Sequence, residues 1–262
     1  MNDELNKTVI NTFKIIDVIA NAKDSVGISN LSVAVSLPKT TVFRLISTLK
    51  YLNIIFEDKD KKYSLGSTFL KYVNRVKSKN SLVEIALPFM NQFSKKIKET
   101  INLGILYNSQ VVYLKSIEGE NFSLQVKLMP VAPLYCSSMG KIFLATFSEK
   151  QLTHYFATCN LDKKTVNTIN NETVLRKEVL AVKKEKIAYD NEEAEYGLSC
   201  IAVPITKCNK VVAAISVSGP TSRIQVRGLK QIKMELKNTA QKIIKSLHEE
   251  NIDDLYINEA DF

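Results

Sequence analysis

Six side chains of this 262-residue chain have the chemistry for catalysis: Cys136, Lys141, Asp190, Glu192, Glu193 and Cys200. Cys136 precedes Ser137, and the acids fall in the run DNEEAE at 190–195. A nucleophile or general base also needs a partner that moves its proton. The chain has two histidines, His154 and His248, and neither stands in a triad or metal-binding pattern. Neither GxGxxG nor GxxxxGK[ST] occurs, so nucleotide chemistry has no support. Cys136, Cys159, Cys200 and Cys208 form no CxxC and match no zinc spacing or secreted disulfide framework. The expectation is no enzyme, no metal and no cofactor, with reduced thiols in a cytoplasmic protein. The acidic run reads as a solvated loop with one buried member.

A second constellation has a clearer use. In LPKTTVFRLISTLKYLN (37–53), Val42, Leu45, Ile46 and Leu49 recur at helical spacing and mark a packed face. That leaves Lys39, Thr40, Thr41, Phe43, Arg44 and Ser47 nearer the outer side. A helix whose first turns carry hydroxyls and cations can enter the DNA major groove, where such groups meet base edges and phosphates.

The surrounding elements would position that helix. A first helix is expected over 8–20, with Val9, Phe13, Ile16 and Ala20 on one face and Ile15 and Ile19 widening it. A short second helix fits 28–35, with Ser29 as its cap and Leu31, Val33 and Ala34 buried. Pro38 suits the first turn of the third helix, and Asn53 the left-handed position after it. The segment IIFEDKDKKYSLG (54–66) reads as two strands around a charged turn, placing Lys61 and Lys62 against a phosphate backbone. Helix, helix, turn, helix and wing is the winged helix-turn-helix order, and Ser29 joins its candidate DNA-facing residues.

Charge agrees with this reading. The net charge is +9, and residues 1–77 hold 12 Lys and Arg against 7 Asp and Glu, a basic density that favours a polyanionic partner. No apolar run approaches a membrane span, and the N-terminus lacks a signal-peptide pattern.

Further along, STFLKYVNRVKSKN reads as a linker helix, and SLVEIALPFMNQFSKKIKE as an amphipathic helix in which Pro88 implies a kink or an early start. Strands follow at 101–107, 111–119 and 122–128, then helices from Ser137 or Ser138, strands at 197–206 and 210–219, and a long closing helix. The fold class is therefore α+β, an antiparallel sheet with flanking helices behind the N-terminal module. The expected divisions are a DNA-binding domain over 1–66, a linker helix over 67–80, a second domain over 81–250 and a tail over 251–262.

The stretches PLYCSSMGKIFLA (133–145), IAYDNEEAEYGLSCIAVPI (187–205) and AAISVSGPTSRI (213–224) resemble hallmark segments of the IclR family of bacterial regulators. LPKTTVFRLISTLKYLNII and KKYSLG resemble that family's winged helix-turn-helix, so almost the whole chain is covered in order. The resemblance implies a GAF-like effector domain and binding to double-stranded operator DNA as a homodimer or dimer of dimers. It further implies a repressor of a catabolic operon switched by a small organic acid or sugar acid. By the same resemblance, Ser138 and Met139 offer helix amides to a carboxylate. Asp190, Leu198 and Cys200 match the second hallmark, Ser216 and Ser218 the hydroxyls of the third, and Leu124 and Ala132 apolar wall positions.

The chain departs from the family at several places. Ser36 stands where the inter-helix turn usually has Gly, while Tyr135, Cys136 and Met139 would reshape the cavity. Two other readings stay open at this point: a C-terminal domain that only assembles the protein, and a small-molecule enzyme.

Overall fold

A computed structural model describes residues 5–22, 24–69, 81–119 and 131–249. The chain divides into two compact units, Met1–Lys79 and Asn80–Phe262. The linker helix expected over 67–80 falls mostly outside the described residues. The strand at 122–128 with Leu124, and the tail over 251–262, fall wholly outside them.

The first unit begins with α1 (Lys7–Asn21), capped by the Asn6 side chain, which accepts from the amides of Thr8 and Val9. Ile15, Ile16 and Ile19 face the core, whereas Val9 and Phe13 are exposed. The expected stripe is therefore rotated: the isoleucine run, and not the 9–13–16–20 row, meets the other helices. Helix α2 (Ile28–Ala34) buries Leu31 and leaves Val33 and Ala34 outside. Helix α3 (Lys39–Tyr51) buries Val42, Ile46 and Leu49, with Leu45 packed at the margin. Pro38 stands at the N-cap, one residue before the helix.

The wing is β2 (Ile55–Glu57) and β3 (Lys62–Leu65), and a short strand absent from the sequence reading, β1 (Val26–Gly27), pairs with β3. Two residues is too short a run to show alternation, so β1 had no periodic signal to read.

Asn53 leaves α3 at φ 54, and Ser36 turns the chain between α2 and α3 at φ 53. The left-handed region crowds Cβ against the following carbonyl, which glycine avoids. Ser36→Gly is therefore expected to stabilise the first unit by up to about 1 kcal/mol, less the extra entropy glycine gives the unfolded chain. A higher urea midpoint for that unit checks it; an unchanged or lower midpoint would show that strain at Ser36 does not exceed the entropy glycine adds to the unfolded chain.

The second unit opens with α4 (Ser81–Ile97), which continues through Pro88. Strands β4 (Thr100–Tyr107), β5 (Gln110–Ile117), β6 (Val131–Pro133), β7 (Ala188–Asn191), β8 (Leu198–Lys207) and β9 (Lys210–Pro220) form one antiparallel sheet. Their order is β6-β5-β4-β9-β8-β7. Between the hairpins run α5 (Ser138–Leu144), α6 (Glu149–Thr158) and α7 (Glu172–Glu185). The chain then continues into α8 (Thr221–Arg227) and α9 (Leu229–Glu249).

Because side chains alternate along strands, the sheet has two faces. Ile101, Leu103, Ile201, Val203, Ile215 and Val217 pack under α4, α8 and α9. In α9 the buried row is Ile232, Leu236, Ala240, Ile243 and Leu247, while Leu229 at its start is 47% exposed. The opposite face carries Asn102, Gly104, Cys200, Ala202, Ala214 and Ser216, and α5 and α7 cover it. Small side chains there let α5 approach closely: a Cβ on Gly104 would lie 2.8 Å from Met139 Sδ. No helix among the described residues is long and apolar enough to cross a membrane.

Candidate functional site

Two sites follow from this architecture, one in each unit. In the first, Lys39, Thr40, Thr41, Phe43, Arg44 and Ser47 are all exposed on α3, the side opposite Val42, Ile46 and Leu49. Ser47 Oγ donates to the Phe43 carbonyl at 2.9 Å, so its hydroxyl is partly used by its own helix. Lys61, at φ 56, and Lys62 are exposed at the wing tip. The tip is built by Asp58, whose carboxylate accepts from the amides of Asp60 and Lys62 and from Ser25 Oγ, each within 2.9 Å. The Ser25 hydroxyl and these amides hold the Asp58 carboxyl below its usual range. Ser29 is exposed in the first turn of α2, but Gly27 is the N-cap and no side chain caps that helix. The capping role expected for Ser29 is thus not realised.

The second site lies on the α5-covered face of the sheet. Asp190 stands opposite Cys200, and Cys200 opposite Ser218, in adjacent strands; in the next row Ala202, Ser216 and Asn102 are neighbours. Asp190, Cys200, Ser216 and Ser218 are buried, as are Ser138 and Met139 at the start of α5. Ser137 caps that helix, accepting from the Gly140 amide at 3.1 Å and donating to the Pro133 carbonyl. The first-turn amides of Ser138 and Met139 have no acceptor within the helix, as at any helix start. Leu198 is half-buried at the start of β8, and Ala132 half-buried on the edge strand β6, at the far side of the sheet from Asp190.

Electrostatics distinguish these groups. Burial pushes the Asp190 carboxyl up to about 7, against the pull of the Glu193 and Ala194 amides, which donate to Asp190 Oδ1 at 2.8 and 3.4 Å. Burial also raises the Cys136 thiol to about 11 and the Cys200 thiol well above its ordinary value. Both thiols therefore stay protonated and poorly nucleophilic at neutral pH. Among the described residues no group of three or more His, Cys, Asp or Glu could hold a metal.

The acidic run differs from its expected form. Asp190 and Glu193 are both buried, at 2% and 4% exposure. The reason is Lys141, itself 1% exposed, whose ammonium donates to Glu193 Oε1 at 2.6 Å and to the Tyr189 carbonyl at 2.9 Å. That pair ties α5 to the turn after β7 and so sets where Asp190 points.

Two further residues belong to this face and were missed from sequence. Asn102 is fully buried on β4, where its amide reaches Ser218 Oγ at 3.1 Å and Ser216 Oγ at 3.4 Å. Tyr113 is half-buried, and burial, with Asp190 nearby, raises its hydroxyl above the ordinary value. Asn102 did carry a signal, as a lone amide inside the apolar strand INLGILY. Tyr113 carried none, because an aromatic residue is ordinary in a strand.

Comparison with known proteins matches both units. Residues 74–245 fit the family model for the bacterial transcriptional regulator IclR C-terminal domain, and residues 8–57 the IclR helix-turn-helix domain. The HTH-type transcriptional regulator KdgR of Escherichia coli is 30% identical over 239 residues, covering 90% of each chain. The crystal structure of the Thermotoga maritima IclR, 29% identical, superposes with a TM-score of 0.64 over 92% of this chain and 98% of that one. An IclR homologue from Microbacterium hydrocarbonoxydans, solved with 4-hydroxybenzoate, is 19% identical with a TM-score of 0.72 over 93% of this chain and 100% of that one. It shares the fold.

Proposed function

The chain belongs to the IclR family of bacterial DNA-binding transcriptional regulators, and from that membership we propose that its second unit binds a small carboxylate which alters operator affinity. The observation that carries the reading is one buried face where Asp190, Cys200, Ser216 and Ser218 meet beneath α5. Serine hydroxyls and first-turn amides are donors, and an anion among them gains from the low local dielectric. The 4-hydroxybenzoate held by the Microbacterium homologue is itself a carboxylate.

For the DNA contact we assign Lys39, Thr40, Thr41, Phe43, Arg44 and Ser47 to the major groove, with Ser29, Lys61 and Lys62 on the phosphate backbone. The protein would act in the cytoplasm, where operators are reached, as a homodimer or dimer of dimers on a palindromic site. The reading commits to release from DNA on ligand binding, as an inducible repressor requires.

Two measurements test it. Full-length protein is screened by thermal shift against small organic and sugar acids, since a ligand that binds only the folded state raises its stability by RT ln(1 + [L]/Kd). At least one acid should raise the midpoint and weaken binding to the DNA upstream of the protein's own gene. If no acid moves either readout, the second unit is an assembly module. Separately, Arg44→Ala should weaken DNA binding by about 1–3 kcal/mol, roughly 5- to 150-fold, with the melting temperature unchanged. Wild-type affinity in that variant would remove Arg44 from the interface.

A further inference from the structure

The Asn102 side chain is fully buried, yet only half of its hydrogen-bonding capacity is used. Its Nδ2 faces Ser218 Oγ at 3.1 Å and Ser216 Oγ at 3.4 Å, while its Oδ1 is buried with no partner. A side-chain amide brings two donors and one carbonyl acceptor. Here the donors are spent within the protein and the acceptor is left over. Buried carbonyls without partners are rare and costly. This one projects from β4 on the same face as Ser216, Ser218 and Cys200, so a ligand lying on that face is what could satisfy it.

The chemistry asked of that ligand is specific. Two serine hydroxyls that accept from Asn102 keep their own protons, and with the first-turn amides of α5 they form a donor set suited to a carboxylate. The Asn102 carbonyl demands the reverse, a hydrogen donated by the ligand. A carboxylate or keto oxygen cannot supply it, and a hydroxyl can. Resting on the carboxylate reading above, we propose that Asn102 Oδ1 receives a ligand hydroxyl, so that the site selects hydroxy acids over their keto and deoxy counterparts.

Calorimetric titration of the full-length chain with matched acids decides the matter. The probe sets are lactate, pyruvate and propionate; glycolate, glyoxylate and acetate; and 4-hydroxybenzoate and benzoate. In whichever set binds, the hydroxy member is expected to bind at least tenfold more tightly. Asn102→Ala should bring its members within about threefold of one another, with the deoxy or keto acid near its wild-type affinity. Should Asn102→Ala fail to fold, Asn102→Leu, which keeps the volume and offers no acceptor, carries the same expectation. Equal wild-type affinities within a set that binds, or a preference that survives in the variant, would overturn the role of Asn102 and leave the carboxylate site standing. If no member of any set binds, the carboxylate reading fails and this inference with it.

Discussion

Lys141→Met is expected to destabilise the second unit by about 3–5 kcal/mol, the cost of breaking a buried ion pair from one side. The substitution keeps much of the side-chain volume, so the loss comes from charge rather than from a cavity. Without the ammonium, Glu193 is left 4% exposed, and the Tyr189 carbonyl loses its donor at 2.9 Å. Glu193 already has one orphaned oxygen, Oε2, and burial already raises its carboxyl despite the opposing pull of Lys141. Removing that pull leaves protonation or local unfolding of the turn as the available responses. Urea denaturation followed in the second unit checks the prediction, and Glu193→Gln in the same chain should restore a good part of the loss, because it removes the stranded charge. A loss below about 1 kcal/mol would mean that the pair is hydrated and contributes no more than a surface bridge.

The same pair shows where sequence reading stops. The helices of the first unit, the wing and most strands of the second were legible because each has a period, of 3.6 or of 2, and ends at a recognisable turn. Asn53 was legible too, since asparagine tolerates a left-handed turn, whereas Ser36 stood out only through the resemblance. Lys141 and Glu193 lie 52 positions apart, and neither carries a local mark of burial. Each reads as an ordinary surface charge until the sheet brings α5 over the turn after β7. Asp190, Cys200, Ser216 and Ser218 were placed by resemblance, not by pattern, and the cross-strand register supplies the physical reason they share a face. The α1 stripe failed for the opposite reason. Val9 and Phe13 satisfy the helical period as well as the isoleucines do, and only tertiary packing chooses between two overlapping stripes.

Asp190→Asn carries the second large effect, and its sign depends on pH. In the folded chain burial holds the Asp190 carboxyl up to about 7, against an ordinary value of 3.8. A raised acid binds its proton more tightly folded than unfolded. Its contribution to stability therefore falls as pH rises from about 4 to about 7, and above that the ionised carboxylate is a standing cost. A shift of about three units corresponds to a few kcal/mol, on the order of 4 before structural relaxation reduces it. Asparagine keeps an oxygen for the Glu193 and Ala194 amides and removes the charge that faces Cys200, Glu193 and the Lys141 ammonium. The variant should thus be more stable than wild type at pH 8, by about 2–4 kcal/mol, and equally stable near pH 4. Ligand binding should report the same proton. A carboxylate seated beside Asp190 favours its neutral form, so wild-type affinity should fall up to tenfold per pH unit above 7, while Asp190→Asn stays flat. Denaturation midpoints at pH 4, 6 and 8, with titrations of a bound acid at pH 7 and 8.5, check both halves. A stability difference that does not change between pH 4 and 8 would show that Asp190 is charged throughout. The site would then receive its ligand against a fixed negative charge, and cationic or neutral molecules would become the better candidates.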